Sequence, residues 1–205
     1  TMYRKAHATG GCGGIVFTRN EDCYWRIRAL ADRGKPFHSS DYNPKDPGSS
    51  LFPAMNFQLD ELSCAIGYST LSGLEATIDR RRSIAEQLND GLRHMKVVSP
   101  YNCKAYCDPS LYFITLLVDV GRLKVSKTEF ALAIAEEGIE INPNYHYVVS
   151  EWKWLRQCAS NVNASPNASG FRDDTFNLLF TEAYADEEVN DILTAISKVE
   201  SVMAR

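Results

Sequence analysis

Residues 96–205 predict an α/β layer domain, because apolar, β-rich runs alternate there with segments of helical periodicity. The strand-like runs are residues 111–120, 139–141 and 176–180. Between and after them lie helical patterns, the last with Val189, Ile192, Ile196 and Val199 on one face. A second observation is the bulk balance: 44% apolar and 23% charged residues over 205 positions suffice for a real hydrophobic core.

The elements follow in chain order. A glycine turn at residues 10–14 runs into Ile15-Val16-Phe17-Thr18, which predicts a short buried strand. Asn20-Glu21-Asp22 opens a helix with Tyr24, Ile27 and Leu30 in register, ending near Gly34-Lys35-Pro36. Residues 34–53 hold four prolines and read as a long irregular loop, of the kind that carries function. Asp60 is a good N-cap, and helical periodicity then continues from Leu62 to about Met95. That is long for one globular helix, so it breaks near Gly73 or spans a domain boundary. The expected division is 1–95 and 96–205. Beyond it, Ser126 caps a helix that Gly138 ends, residues 149–157 form a short helix, and residues 161–170 a polar loop. Asp186 caps the final helix.

Charge and cysteine content exclude several classes. A net charge of −4 and a pI near 5.6 argue against nucleic-acid or anionic-membrane partners, which need a basic face. Arg80-Arg81-Arg82 reads as the solvated face of a helix. No apolar run is long enough to span a bilayer and no signal-peptide pattern opens the chain, so the expected location is cytoplasmic. The six cysteines form no disulfide framework, and the Cys103/Cys107 pair lacks the second pair or histidine of a zinc site. No metal is expected. The Asn163 and Asn167 sequons are the sort that polar loops produce by chance.

The densest chemistry is in Tyr3-Arg4-Lys5-Ala6-His7-Ala8-Thr9-Gly10-Gly11-Cys12-Gly13-Gly14, a glycine turn with no strand or helix before it. Such a start looks like the middle of a domain. Dinucleotide and P-loop fingerprints follow a strand and open a helix, whereas this turn precedes a strand, so neither applies. Three further segments stand at characteristic intervals: Trp25–Gly34, Asn56-Phe57-Gln58-Leu59-Asp60-Glu61-Leu62, and Ala65-Ile66-Gly67. Together with Gly13–Thr18 they make the chain resemble the C-terminal half of the DegT/DnrJ/EryC1/StrS family of pyridoxal-phosphate-dependent sugar aminotransferases.

The resemblance implies a fold-type-I aminotransferase, with the end of the large sheet domain followed by a small C-terminal α/β domain. It implies pyridoxal 5′-phosphate as cofactor, and transfer of an amino group, from glutamate, to a nucleotide-linked keto sugar. It also implies a homodimer, with active sites shared between subunits. The family's Schiff-base lysine aligns without gaps on Ala6, and Cys12 takes the place of its glutamate. Lys5 is one residue short, which turns an extended side chain to the opposite side. His7 is a third candidate, since sugar dehydratases in the family use histidine at the lysine position and histidine moves protons. Asn56 inherits contact with the cofactor phosphate of the neighbouring subunit, while Gln58 stands where an arginine is usual. Tyr145 and His146, within Asn142-Pro143-Asn144-Tyr145-His146, fall on a substrate-facing segment. Members are about twice this length, and the half absent here would carry most cofactor contacts. The alternatives are a non-catalytic homologue or fragment acting as a binding module, to which Ala6, Cys12 and Gln58 point, and a pyridoxal-phosphate-dependent sugar dehydratase.

Overall fold

The computed structural model describes residues 11, 13–101, 106–145, 147–158 and 163–205. The chain forms two compact units, Thr1–Leu74 and Glu75–Arg205. The second takes in the latter part of the long helical segment that the sequence assigned to residues 1–95, from Glu75 onward, because Ile84, Leu88 and Leu92 are spent on that unit's core.

In the first unit, helix α1 spans Glu21–Ala31, and Asn20 Oδ1 caps it by accepting the Cys23 N–H at 2.8 Å. Helix α2 spans Glu61–Leu71, with Asp60 accepting the Ser63 N–H as the sequence predicts. Residues 15–18 do not form the expected buried strand. Ile15, Val16 and Phe17 are 70–80% exposed and no described residue pairs with them, so their β propensity has no partner to act on. The loop after α1 is ordered by its own backbone. Gly34 N donates to Ala29 O, Leu51 N to Gly34 O, Arg33 N to Met55 O and Phe57 N to Ala31 O. Those bonds close the excursion from residue 34 to residue 54 back onto the end of α1, a compact loop with adjoining ends. Arg33 (φ 56°) and Gly34 (φ 76°) make the reversal. A Cβ at Gly34 would lie 2.1 Å from the Phe52 carbonyl oxygen, so this position requires glycine twice over.

The long helix breaks where expected, at Ser72-Gly73, and helix α3 runs from Leu74 to Leu92. Then come strands β1 (Val98–Pro100) and β2 (Phe113–Val118), helix α4 (Lys127–Glu136) and strand β3 (Ile141–Asn142). Helices α5 (Lys153–Cys158) and α6 (Pro166–Asp173), strand β4 (Thr175–Leu179) and helix α7 (Asp186–Met203) complete the unit. The sheet order is β1-β2-β4-β3, every pair antiparallel. Strand β2 alternates, with Ile114, Leu116 and Val118 buried. They join Leu88 and Leu92 of α3, Phe130 and Ile134 of α4, Phe176 and Leu178 of β4, and Ile196 of α7 in one core. Each fully buried Leu, Ile or Phe of this kind contributes roughly 1.5–3 kcal/mol.

Three expectations are corrected in this unit. Residues 166–170, read as polar loop, begin helix α6, because Pro166 sits at its first turn, where a missing N–H costs nothing. The cap of α7 is Ala185, not Asp186; its backbone N–H donates to Glu188 Oε2, so the acidic first turn substitutes for a capping side chain. Arg81 is not on a solvated face. It is buried, and its guanidinium donates to the carbonyls of Leu111, Tyr112 and Phe180 and to Glu182, tying α3 to the ends of β2 and β4. Ser126 caps α4 in a full capping box with Glu129, and Gly138 (φ 92°) terminates it, as the sequence predicts.

Candidate functional site

Lys5, Ala6, His7 and His146 lie outside the described residues. Of the predicted site residues, Asn56 belongs to the first unit and Tyr145 to the second.

Asn56 stands on a rigid base. It forms an isolated antiparallel bridge with Asp32, flanked by the Arg33 N–Met55 O bond at 3.0 Å and the Phe57 N–Ala31 O bond at 2.8 Å. Its side chain is exposed, and Oδ1 accepts the Gln58 N–H at 3.1 Å, a local turn that orients the carboxamide. The two Nδ2 hydrogens meet no acceptor among the described residues and are available to a ligand oxygen.

Opposite it, Asp32 is the hub of the unit, 2% exposed. Arg33 Nε donates to its Oδ1 at 2.6 Å; Lys35 Nζ and Gln58 Nε2 donate to its Oδ2 at 2.8 and 2.9 Å. Burial alone would push the carboxyl up, but the hydrogen bonds from Lys35 and Arg33 and their charges outweigh it and hold Asp32 below the usual carboxylate range. Gln58, which replaces an expected arginine, is thus an uncharged third donor to a carboxylate already serving two cations. Sequence reasoning singled out Asn56 and Gln58 but not Asp32, Arg33 or Lys35, which share their hydrogen-bond cluster. The signal was present as two basic residues beside an aspartate at a helix end, but only the loop closure brings Gln58 to them.

In the second unit, Tyr145 is half-exposed, its ring 6.2 Å from Phe113 and 5.3 Å, edge-on, from Tyr147. Tyr147 meets Trp152, and Trp152 meets Trp154, so the segment presents an aromatic row. The backbone before Tyr145 is fixed from below by Lys127, a buried ammonium that donates to Pro143 O (2.7 Å), Asn144 Oδ1 (3.0 Å), Thr175 O (2.9 Å) and Arg172 O (3.4 Å). Burial pushes the Lys127 ammonium below its ordinary range, and the nearby charges of Asp173 and Asp174 partly oppose that. Among the described residues no three His, Cys, Asp or Glu side chains cluster to hold a metal. No helix among them is long and apolar enough to cross a membrane.

The chain belongs to the DegT/DnrJ/EryC1/StrS aminotransferase family, whose profile matches residues 3–197. The mixed α/β architecture of the second unit accords with that membership. Uncharacterized protein MJ1066 of Methanocaldococcus jannaschii is 21% identical over 211 residues, covering 98% of this chain and 53% of that protein. The putative sugar aminotransferase Spr1654 of Streptococcus pneumoniae, in its PLP form, superimposes with a TM-score of 0.72 at 17% identity, over 94% of this chain and 46% of that one. A GDP-4-keto-6-deoxymannose-3-dehydratase with a trapped PLP-glutamate geminal diamine gives a TM-score of 0.76 at 17% identity, over 95% and 52%. The fold is therefore that of part of a fold-type-I sugar aminotransferase, and the chain spans about half the length of the relatives it matches.

Proposed function

We propose that the chain is part of a pyridoxal-phosphate-dependent enzyme that transfers an amino group, from glutamate, to a nucleotide-linked keto sugar, working as a homodimer. The observation that carries this reading is the family match over residues 3–197, joined to a platform at Asn56 whose free donors suit a cofactor phosphate. When bound, the cofactor supplies an electron sink for breaking bonds at the carbon that bears the amino group. This chain's own residues do the holding. Asn56 offers two N–H donors at a fixed place, Asp32 keeps that place rigid, and Tyr145 offers an aromatic face beside a segment anchored by Lys127.

The residue that would carry the proton at the reacting carbon is set by the register of residues 5–7. Ala6 holds the expected lysine position, so a lysine role falls to Lys5 and a proton-transfer role without covalent attachment to His7. His7 favours the second reading, a sugar dehydratase; Ala6, Cys12 and Gln58 favour the third, a binding module without catalysis.

The test is to add pyridoxal 5′-phosphate to the complete protein, record the visible absorbance, reduce with borohydride and map the labelled peptide. A label on Lys5 supports the aminotransferase. Cofactor binding with no label on the chain supports a lost or replaced lysine, which removes ordinary amino transfer and leaves the dehydratase and the binding module. Absence of cofactor binding overturns both enzymatic readings.

A further inference from the structure

We infer that Arg172 and Lys127 are positioning residues for the aromatic row: two cations of the scaffold pin residues 143–151 at both ends, and so set the face that Tyr145 and Tyr147 present. The near pin is Lys127, whose Nζ donates to Pro143 O at 2.7 Å and to Asn144 Oδ1 at 3.0 Å. The far pin acts on Glu151. Arg172 Nη1 donates to its Oε2, and Ser169 Oγ donates to its Oε1 at 2.8 Å, so helix α6 occupies both carboxylate oxygens. Those hydrogen bonds, first from Ser169 and then from Arg172, hold the Glu151 carboxyl below the usual carboxylate range, which keeps the pair ionised at neutral pH. The two pins share one base. Lys127 Nζ also donates to Thr175 O at 2.9 Å and to Arg172 O at 3.4 Å. The backbone of the arginine that holds the far end is thus itself a partner of the lysine that holds the near end.

Between the pins, Val148 is buried whereas Tyr145 and Tyr147 are exposed. The two tyrosine rings stand edge-on at 5.3 Å, and Tyr147 stands edge-on to Trp152 at 6.1 Å. Trp152 follows Glu151 directly in the sequence. Releasing Glu151 therefore frees Trp152 first and, through it, the ring of Tyr147. The size of the effect separates geometry from stability. The side chains of Arg172 and Glu151 are 23% and 41% exposed, and an ion pair so open to water adds little to stability. A carboxylate gripped at both oxygens does fix geometry. Rings held in place beforehand save a ring-shaped ligand the cost of ordering them, so the far pin acts on affinity more than on folding.

The inference rests on the proposed function only in taking this row as a side that meets the substrate; the pinning itself stands on the hydrogen bonds. The test compares Arg172→Met, Glu151→Ala, their combination and Glu151→Gln in the full chain, by nuclear Overhauser contacts among the aromatic rings and by thermal melts. The expected result is a weakened Tyr147–Trp152 contact in both single variants, with the core Phe130–Phe176 contact and the melting temperature nearly unchanged. The double variant should be no worse than either single one, because both remove the same interaction. Glu151→Gln keeps an acceptor for Arg172 and Ser169 and should retain the contact. In the complete enzyme, with glutamate and a uridine-diphosphate-linked 4-keto sugar, Arg172→Met should raise the KM for the sugar about fivefold and leave kcat within about twofold. Ring contacts unchanged in both single variants, losses that add in the double variant, or loss of the Phe130–Phe176 contact along with them overturns the inference. Displaced rings with an unmoved KM uphold the pins and count against placing the substrate on this row. Absence of turnover in the wild type counts against the proposed function alone, and the ring contacts still decide the inference.

Discussion

Replacing Lys127 by methionine asks what a buried ammonium without a salt bridge contributes. The residue is 7% exposed, and its four acceptors are three backbone carbonyls and a carboxamide oxygen. Methionine keeps the length and loses every donor. Asn144 Oδ1 retains Thr128, and the Arg172 carbonyl contact is long at 3.4 Å, so the serious losses are at Pro143 and Thr175. A buried carbonyl stripped of its partner costs about 1–3 kcal/mol, and removing a buried charge returns part of that. The expected net effect is a loss of about 2–4 kcal/mol, read as a lower urea midpoint with an unchanged slope.

The pH dependence has a definite sign. Burial depresses the folded-state value for Lys127 below the ordinary lysine value of 10.5. Between the two values the unfolded chain binds more protons than the folded one, so folding becomes more favourable as pH rises. The stability difference between wild type and Lys127→Met should therefore widen from neutral pH through that alkaline window. A variant as stable as wild type at pH 7, or a difference that stays flat, would refute the reasoning and show that desolvation of the ammonium cancels its hydrogen bonds.

Gly34→Ala should cost more than about 3 kcal/mol or prevent the loop from closing, since the added carbon meets the Phe52 carbonyl at 2.1 Å with φ at 76°; limited proteolysis within residues 35–54 would reveal the opened loop. In Gly91→Ala the new Cβ lies 2.3 Å from Leu193 Cδ1, a side chain that can move. A loss of about 1 kcal/mol is expected, and Leu193→Ala in the same chain should give less than the sum of the two single losses in thermal melts. Asp32→Asn should flatten the acid limb of the first unit's stability: with its folded value depressed, Asp32 contributes stability above its ordinary value of 3.8 and loses it as pH falls through the folded value. Amide exchange at Arg33 and Phe57 across pH 2–6 reads this directly, and an unchanged profile in the variant would contradict it.

What the sequence disclosed follows the range of the forces involved. The helix caps at Asn20, Asp60 and Ser126, the stop at Gly138 and the break at Gly73 are local events, decided within four residues of the position that signals them. The apolar face of α7 was equally legible, because periodicity needs no partner to be recognised. Long-range pairings were not. Strand β1 is three residues long and exists because Val98–Pro100 finds β2. Arg81 looked solvated beside two other arginines until the ends of β2 and β4 supplied carbonyls from about a hundred and from about thirty residues away.

The site divides the same way. Asn56 is a candidate because a spaced motif names it, yet what fixes its backbone is Asp32, twenty-four residues earlier, through a bridge that no periodicity encodes. Gln58 makes the point most sharply. Read alone it is a lost positive charge. In the fold its amide shares the Asp32 carboxylate with Arg33 and Lys35, so the positive charge at this platform sits on two residues that the motif does not include. An arginine at position 58 would instead have competed with them for one carboxylate. In a Gln58→Arg variant the new guanidinium should accordingly displace Lys35 from Asp32, leaving the charge of the cluster higher but its geometry looser. Faster amide exchange at Arg33 and Phe57, whose N–H groups close the loop, is the expected outcome, and an unchanged exchange rate would separate position 58 from the cluster.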